Sequence, residues 1–409
     1  MRIAIIGGGA AGLMAAQSPA LAAHRVTLFE RNPFFGKKLR ITGKGRCNVT
    51  NTCPVRDMAP MLPRGEKFLR SALYSFPPDE VRAFFEEAGV PLKEERGGRV
   101  FPVSDKAADV AEALVKGARA AGTVLCHERV LSLKKEKGVF LVKTAAKEEE
   151  FDRVLLATGG LSYPGTGSDG DGYRFAEALG HSIQPLRPAL CPLTVKESLC
   201  AEAMGLSLRN VAVRLATPEG KCVYEDFGEM LFTHFGVSGP VILSASSFLD
   251  FDKHPFYRLH IDLKPALTRE ALDKRVLSDL AEKNKRDLVN ALDDLLPQKL
   301  IVPFIGATGL DGRRKVHSLG REERLRLTDT MKDLPLTVTG HRPIKEAIVT
   351  RGGVCLKEID PHTMGSRLVD GLYFAGEIID ADALTGGFNL QIAFSTARLA
   401  AEAMAKEEP

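Results

Sequence analysis

The sequence predicts an α/β protein: a Rossmann-like parallel sheet interrupted by an inserted domain of mixed strands and helices. Three observations predict it. The β-branched run Ile3 to Ile6 leads directly into Gly7-Gly8-Gly9-Ala10-Ala11-Gly12, which fits G-x-G-x-x-G. A second apolar run, Arg25 to Phe29, ends on Glu30. Two more strand-and-glycine segments, Val154 to Gly160 and Leu372 to Gly387, lie far along the chain, with a stretch of different texture between them.

Each part of the first unit has a separate physical task. Gly7 permits the tight turn after the strand, Gly9 lets backbone approach a pyrophosphate, and Gly12 lets the helix pack against the strand. Ala10 and Ala11 fall within the motif as candidate cofactor contacts, and Leu13 to Ala16 begin the helix, whose positive end would face the phosphates. Glu30 is placed to accept hydrogen bonds from the adenosine ribose. The same thirty residues also resemble a cleaved secretory signal, with Arg2, an apolar stretch and Ala20 to Ala23. Strand, glycines, helix and acid in register favour the nucleotide reading, which keeps the segment in the mature protein. Pro19 falls where the first helix should continue, so a kink or an early end is expected there.

Composition bounds the function. The chain has 409 residues, 44% apolar and 26% charged, enough for two or three domains with a large core. Its formal charge of +4 gives no reason to expect nucleic acid or an anionic membrane, and no obvious basic stripe is present. No run approaches the roughly 20 apolar residues of a membrane span. The seven cysteines, 47, 53, 126, 191, 200, 222 and 355, are scattered and form no C-x-x-C, so a disulfide framework and a zinc site are not expected. A cytoplasmic protein acting on a small molecule fits these bounds, and no metal site is anticipated. Lys147 to Glu150 reads as a solvated turn.

The fingerprint serves NAD and FAD alike, so the choice rests on the C-terminal stretch. FAD is the longer ligand and needs a second site for ribityl chain and ring. Leu372 to Ala375 reads as a strand, Gly376-Glu377 puts a carboxylate at its end, and Gly386-Gly387 opens a helix from Phe388 to about Met404. The start of that helix would favour negative charge on a reduced flavin. Between the two sites, Arg129 to Leu133 and Val139 to Thr144 form a hairpin pattern, followed by a strand ending in Ala157-Thr158-Gly159-Gly160. This is similar to the crossover of two-dinucleotide-domain flavoproteins. No second G-x-G-x-x-G opens a separate NAD(P) domain.

The chain resembles the bacterial flavoproteins related to aminoacetone oxidase and bile-acid dienone reductases. The matching blocks include GKKLRITGKGRCNVTN at 36–51, ATGGLSYPGTGSDGDGYRFAEALGH at 157–181, GEMLFTHFGVSGPVIL at 228–243 and TGGFNLQIAFSTA at 385–397. The resemblance implies FAD and a discontinuous cofactor domain, 1–189 plus 346–409, with a substrate or cap domain at 190–345. It also extends the candidate cofactor contacts beyond the fingerprint. These are Arg31, Lys38, Gly45, Arg46, Cys47, Asn48, Val130, Ala157, Thr158, Gly159, Gly376, Glu377, Gly387, Phe388, Asn389, Leu390 and Gln391.

No catalytic residue is assigned. Arg46 fits either a phosphate contact or a loop-anchoring ion pair. Cys47 reads as a structural thiol more readily than a redox one. His234 is a candidate proton donor or a satisfied structural histidine, and Tyr163 a candidate carbonyl donor or a packing residue. Asp169 and Asp171 lack the ligand spacing of a calcium loop. In the middle segment, Leu206 to Ala216 and Tyr257 to Leu263 are strand-like, while Arg269 to Leu296 and Arg321 to Leu334 are helical.

The expected activity is FAD-dependent oxidation or reduction of a small carbonyl, enone or amine compound, with NADH or NADPH as a candidate donor. The alternatives are an FAD-dependent RNA-modifying enzyme and a non-catalytic redox-sensing flavoprotein.

Overall fold

A computed structural model describes residues 1–406. The chain divides into two compact units, Met1–Ala189 with Ile344–Pro409, and Leu190–Pro343.

The first unit is built on a five-stranded parallel sheet. Its strands are β1 (Arg2–Ile6), β2 (Arg25–Phe29), β3 (Val124–Cys126), β4 (Arg153–Leu156) and β5 (Leu372–Phe374), in the spatial order β5-β4-β1-β2-β3. Ile3, Ala4 and Ile5 are wholly buried, as the continuous apolar runs of a sheet covered on both faces require. Three helices matter for the site: α1 (Ala10–Ala16), α2 (Ala107–Ala120) and α3 (Phe388–Met404). α1 stops at Ala16, and a short 3-10 turn at Pro19–Leu21 follows, so Pro19 marks an early helix end. α1 packs on α3, which carries the C-terminal segment onto the N-terminal fingerprint.

Two readings need correction. The charged run Lys147 to Glu150 is not a turn; Glu148–Phe151 is the third strand of an antiparallel meander with Ser132–Glu136 and Val139–Lys143. Phe151 is buried there, while two of the three glutamates are exposed. The helical reading of Arg269 to Leu296 is also too long. The helix ends at Glu282, and only a 3-10 turn at Leu288–Asn290 continues it. Leu288, Leu292, Leu295 and Leu296 are buried all the same.

The second unit contains a closed six-stranded antiparallel barrel: Leu193–Val195, Ser207–Ala216, Cys222–Thr233, Gly236–Ser238, Tyr257–Asp262 and Leu334–His341. Closure leaves no free edge. No helix of the described residues is long and apolar enough to cross a membrane.

Candidate dinucleotide site

The three fingerprint glycines differ in what surrounds them. Gly7 has φ +110°, and a Cβ there would lie 2.4 Å from the Ala157 carbonyl oxygen. A Cβ on Gly12 would lie 1.9 Å from the Gly7 oxygen, so helix and strand could not approach as they do. Gly9 has ordinary extended geometry, and a Cβ added to it would meet nothing within 4 Å. Two glycines therefore serve packing, and the third faces open space where a pyrophosphate fits. No side chain caps the start of α1.

Glu30 is 8% exposed and ties the loop together. It accepts hydrogen bonds from the Gly8 amide at 2.9 Å and from the Asn32 amide and side chain at 2.8 and 2.7 Å. A carboxylate has about four acceptor positions, so one remains for a ribose hydroxyl.

The C-terminal loop reaches the same place. A Cβ on Gly376 would lie 2.9 Å from the Ala11 Cβ, and one on Gly387 would lie 2.3 Å from the Thr50 oxygen. Gly387 has φ +101° and precedes α3, which has no side-chain cap and no acid in its first turn. The amides of Phe388, Asn389 and Leu390 thus lack intrahelical partners.

The side chains of this loop are spent on holding it. Asn389 pairs with the backbone amide and carbonyl of Ala383, and Gln391 bridges Thr50, the Phe76 carbonyl and Ser395. Any contact these two make to a ligand is through backbone.

Glu377 accepts from Lys38 Nζ at 2.6 Å, from Ser162 Oγ at 2.8 Å and from the Thr350 amide at 2.8 Å. Burial pushes its pKa up, but the Lys38 charge and these hydrogen bonds outweigh it and hold the carboxyl below its ordinary range. Lys38 also donates to Ser162 at 2.7 Å.

Thr158 Oγ1 and Asn48 Oδ1 are buried without a hydrogen-bond partner among the described residues. Buried oxygens normally find one, so both invite a polar ligand. These orphans, the open face of Gly9 and the uncapped start of α3 together fit an extended dinucleotide.

Other candidates are placed differently. Arg46 is held by Glu95 and Asp105 and lies 4.2 Å over the Phe101 ring, which is the loop-anchoring reading rather than the phosphate contact. Arg31 joins Arg129 and Arg174 around Asp169 and Asp171, so the two aspartates serve ion pairs. Cys47 is wholly buried, and burial pushes its thiol up to about 12, which removes the thiolate a redox role needs. Gly45 has φ +84° and open space around it, whereas Val130 and Ala157 are buried apolar residues. Gly159 has φ +74° beside Ser168. His234 is exposed against Phe235, and Tyr163 is a left-handed residue 37% exposed. The locks made by Gln391 with Thr50 and by Thr350 with Leu161 left no trace in local sequence, because these partners are remote in the chain.

A model described as the HI0933-like protein Rossmann domain matches residues 1–403. A 3-dehydro-bile acid delta(4,6)-reductase of Clostridium scindens is 32% identical over 99% of both chains. A ribosomal RNA dihydrouridine synthase of Haemophilus influenzae is 30% identical over 98% of both. Among solved structures, 3-ketosteroid delta1-dehydrogenase from Sterolibacterium denitrificans aligns over 98% of this chain and 99% of its own, with TM-score 0.50 and 11% identity, a likeness of fold alone.

Proposed function

The chain belongs to the HI0933-like Rossmann family and is an FAD-dependent oxidoreductase; from that premise we propose that it reduces a carbon–carbon double bond conjugated to a carbonyl, with NADH or NADPH as donor. The observation that carries the cofactor is the open face of Gly9 in the fingerprint, at the uncapped start of α1. The substrate class follows from chemistry common to the relatives. A delta(4,6)-reductase of a 3-oxo steroid acid and a dihydrouridine synthase each saturate a C=C conjugated to C=O.

Bound FAD supplies the hydride for such a reduction. The chain supplies the seat: Gly9 admits the pyrophosphate, Glu30 the ribose, and the backbone at the start of α3 offers its amides to the far end. Glu377, ionised and held by Lys38, Ser162 and Thr350, keeps that end in one geometry. The overall step adds one hydride to the β carbon and one proton to the α carbon, while the nicotinamide donor is oxidised. With no second fingerprint in the sequence, the donor is expected to bind over the cofactor.

The test is anaerobic. NADH or NADPH should bleach the flavin, and a cyclic enone should restore its colour with one equivalent of saturated product. Failure of both donors, together with bleaching by an amine and peroxide release on adding oxygen, would replace this reading with an oxidase. The near-equal identity of the Haemophilus relative favours a second substrate, a uracil ring in RNA, which is itself a conjugated C=C–C=O system. Mass spectrometry of RNA incubated with enzyme and donor separates the two: gain of H2 on a uridine marks RNA as substrate.

A further inference from the structure

The first unit carries a groove of about 900 Å³ that none of the candidate cofactor residues lines. This is near the upper end of the range for small-molecule sites, about 300–1,000 Å³. One wall is a face of α2. Asp109, Glu112, Lys116 and Arg119 follow one another there at i, i+3, i+7 and i+10, so they form a single row along the helix. The rest of the lining includes exposed apolar side chains, Phe34 at 43% and Val103 at 54%, with Val90 and Phe35 buried, together with Arg40, Ser104 and His127.

The row is not neutral along its length. Glu112 is engaged by Arg40 at 3.4 Å, and the Arg40 guanidinium lies 6.0 Å from the Phe34 ring centroid. Lys116 and Arg119 have no carboxylate within ion-pair distance among the described residues, and both are exposed. They occupy the C-terminal half of α2, roughly 10 and 15 Å along the helix from Asp109. The groove therefore carries two cations without a carboxylate partner on its α2 wall, and exposed apolar side chains elsewhere in its lining.

We propose that this groove binds a small amphipathic organic anion, its apolar body on Phe34 and Val103 and its anionic head at Lys116 and Arg119. The site is separate from the nucleotide seat yet joined to it. Phe35, in the groove wall, stands 2.4 Å from where a Cβ on Gly8 would be, and the Gly36 amide donates to the Gly8 carbonyl at 2.8 Å.

The experiment is calorimetric titration of the purified full-length protein with 1-anilinonaphthalene-8-sulfonate, competed by dodecanoate. One site is expected, with affinity falling at least tenfold in the double variant K116E/R119E. Should charge reversal disturb the fold, as a lowered melting temperature would show, Phe34→Ser reads the apolar lining instead and should weaken binding at least fivefold. An uncharged analogue, N-phenyl-1-naphthylamine, should bind at least tenfold more weakly than the sulfonate. Equal binding of the two dyes overturns the proposal, as does affinity within twofold of wild type in whichever of these variants retains the wild-type melting temperature.

Discussion

From Gly7 to Gly12 the fingerprint has no side chain larger than a methyl group, and its geometry is set by backbone meeting backbone. From Gly376 to Gln391 the opposite holds: polar side chains reach out to Thr50, Phe76 and Lys38, and Asn389 ties back to Ala383 within the loop. Both ends present unpaired amides, yet one is shaped by what is missing and the other by what is fastened. Glycines of the first kind can be told apart only by their surroundings. Gly12 sits against Gly7, whereas Gly9 faces open space.

The largest effect should come from breaking the fingerprint's packing. Gly12→Ala sets a methyl carbon 1.9 Å from the Gly7 oxygen, and denaturant unfolding of the apo protein should show a loss of about 3 kcal/mol. Next is the fastened loop. Gln391→Ala leaves the buried Thr50 hydroxyl without its partner and takes one of two donors from the Phe76 carbonyl, to which Ser395 Oγ still donates; unfolding should show a loss of about 2 kcal/mol. Cofactor affinity should fall with it, because the start of α3 is no longer held.

The smallest effect sits between the two ends. Lys38→Met removes the cation beside Glu377, which is partly solvated, so the expected loss is about 1 kcal/mol at neutral pH. The sign with pH follows from the direction of the shift. Glu377 is held below its ordinary range, so its ionisation contributes stability above the unfolded carboxylate pKa of about 4.3, lost as pH falls through the folded value. The gap between wild type and Lys38→Met should therefore be full near neutrality and shrink below about pH 4. A gap that does not change with pH would assign Lys38 a packing role only.

The fingerprint was legible because its signals are local: strand, turn, helix and acid lie within thirty residues. The C-terminal helix was legible for the same reason, starting at Phe388 behind two glycines. What fastens the loop was not, since Thr50 meets Gln391 and Lys38 meets Glu377 across more than three hundred residues. The strand Glu148–Phe151 was hidden by its charge. Its mostly solvated glutamates gave no alternation except the single buried Phe151. In the helix ending at Glu282 the apolar spacing ran on through Leu288 to Leu296, although the backbone there is no longer α-helical.

Gly9 separates seat from scaffold most directly. Gly9→Val adds atoms where the protein has none, in a conformation any residue adopts, so the apo melting temperature should stay within about 2 °C of wild type. FAD titrated into the two apo proteins, followed by quenching of flavin fluorescence, should show affinity falling at least about 100-fold in the variant. Wild-type affinity in Gly9→Val would contradict a pyrophosphate seated at Gly9, and so would an affinity loss matched by an equal loss of apo stability.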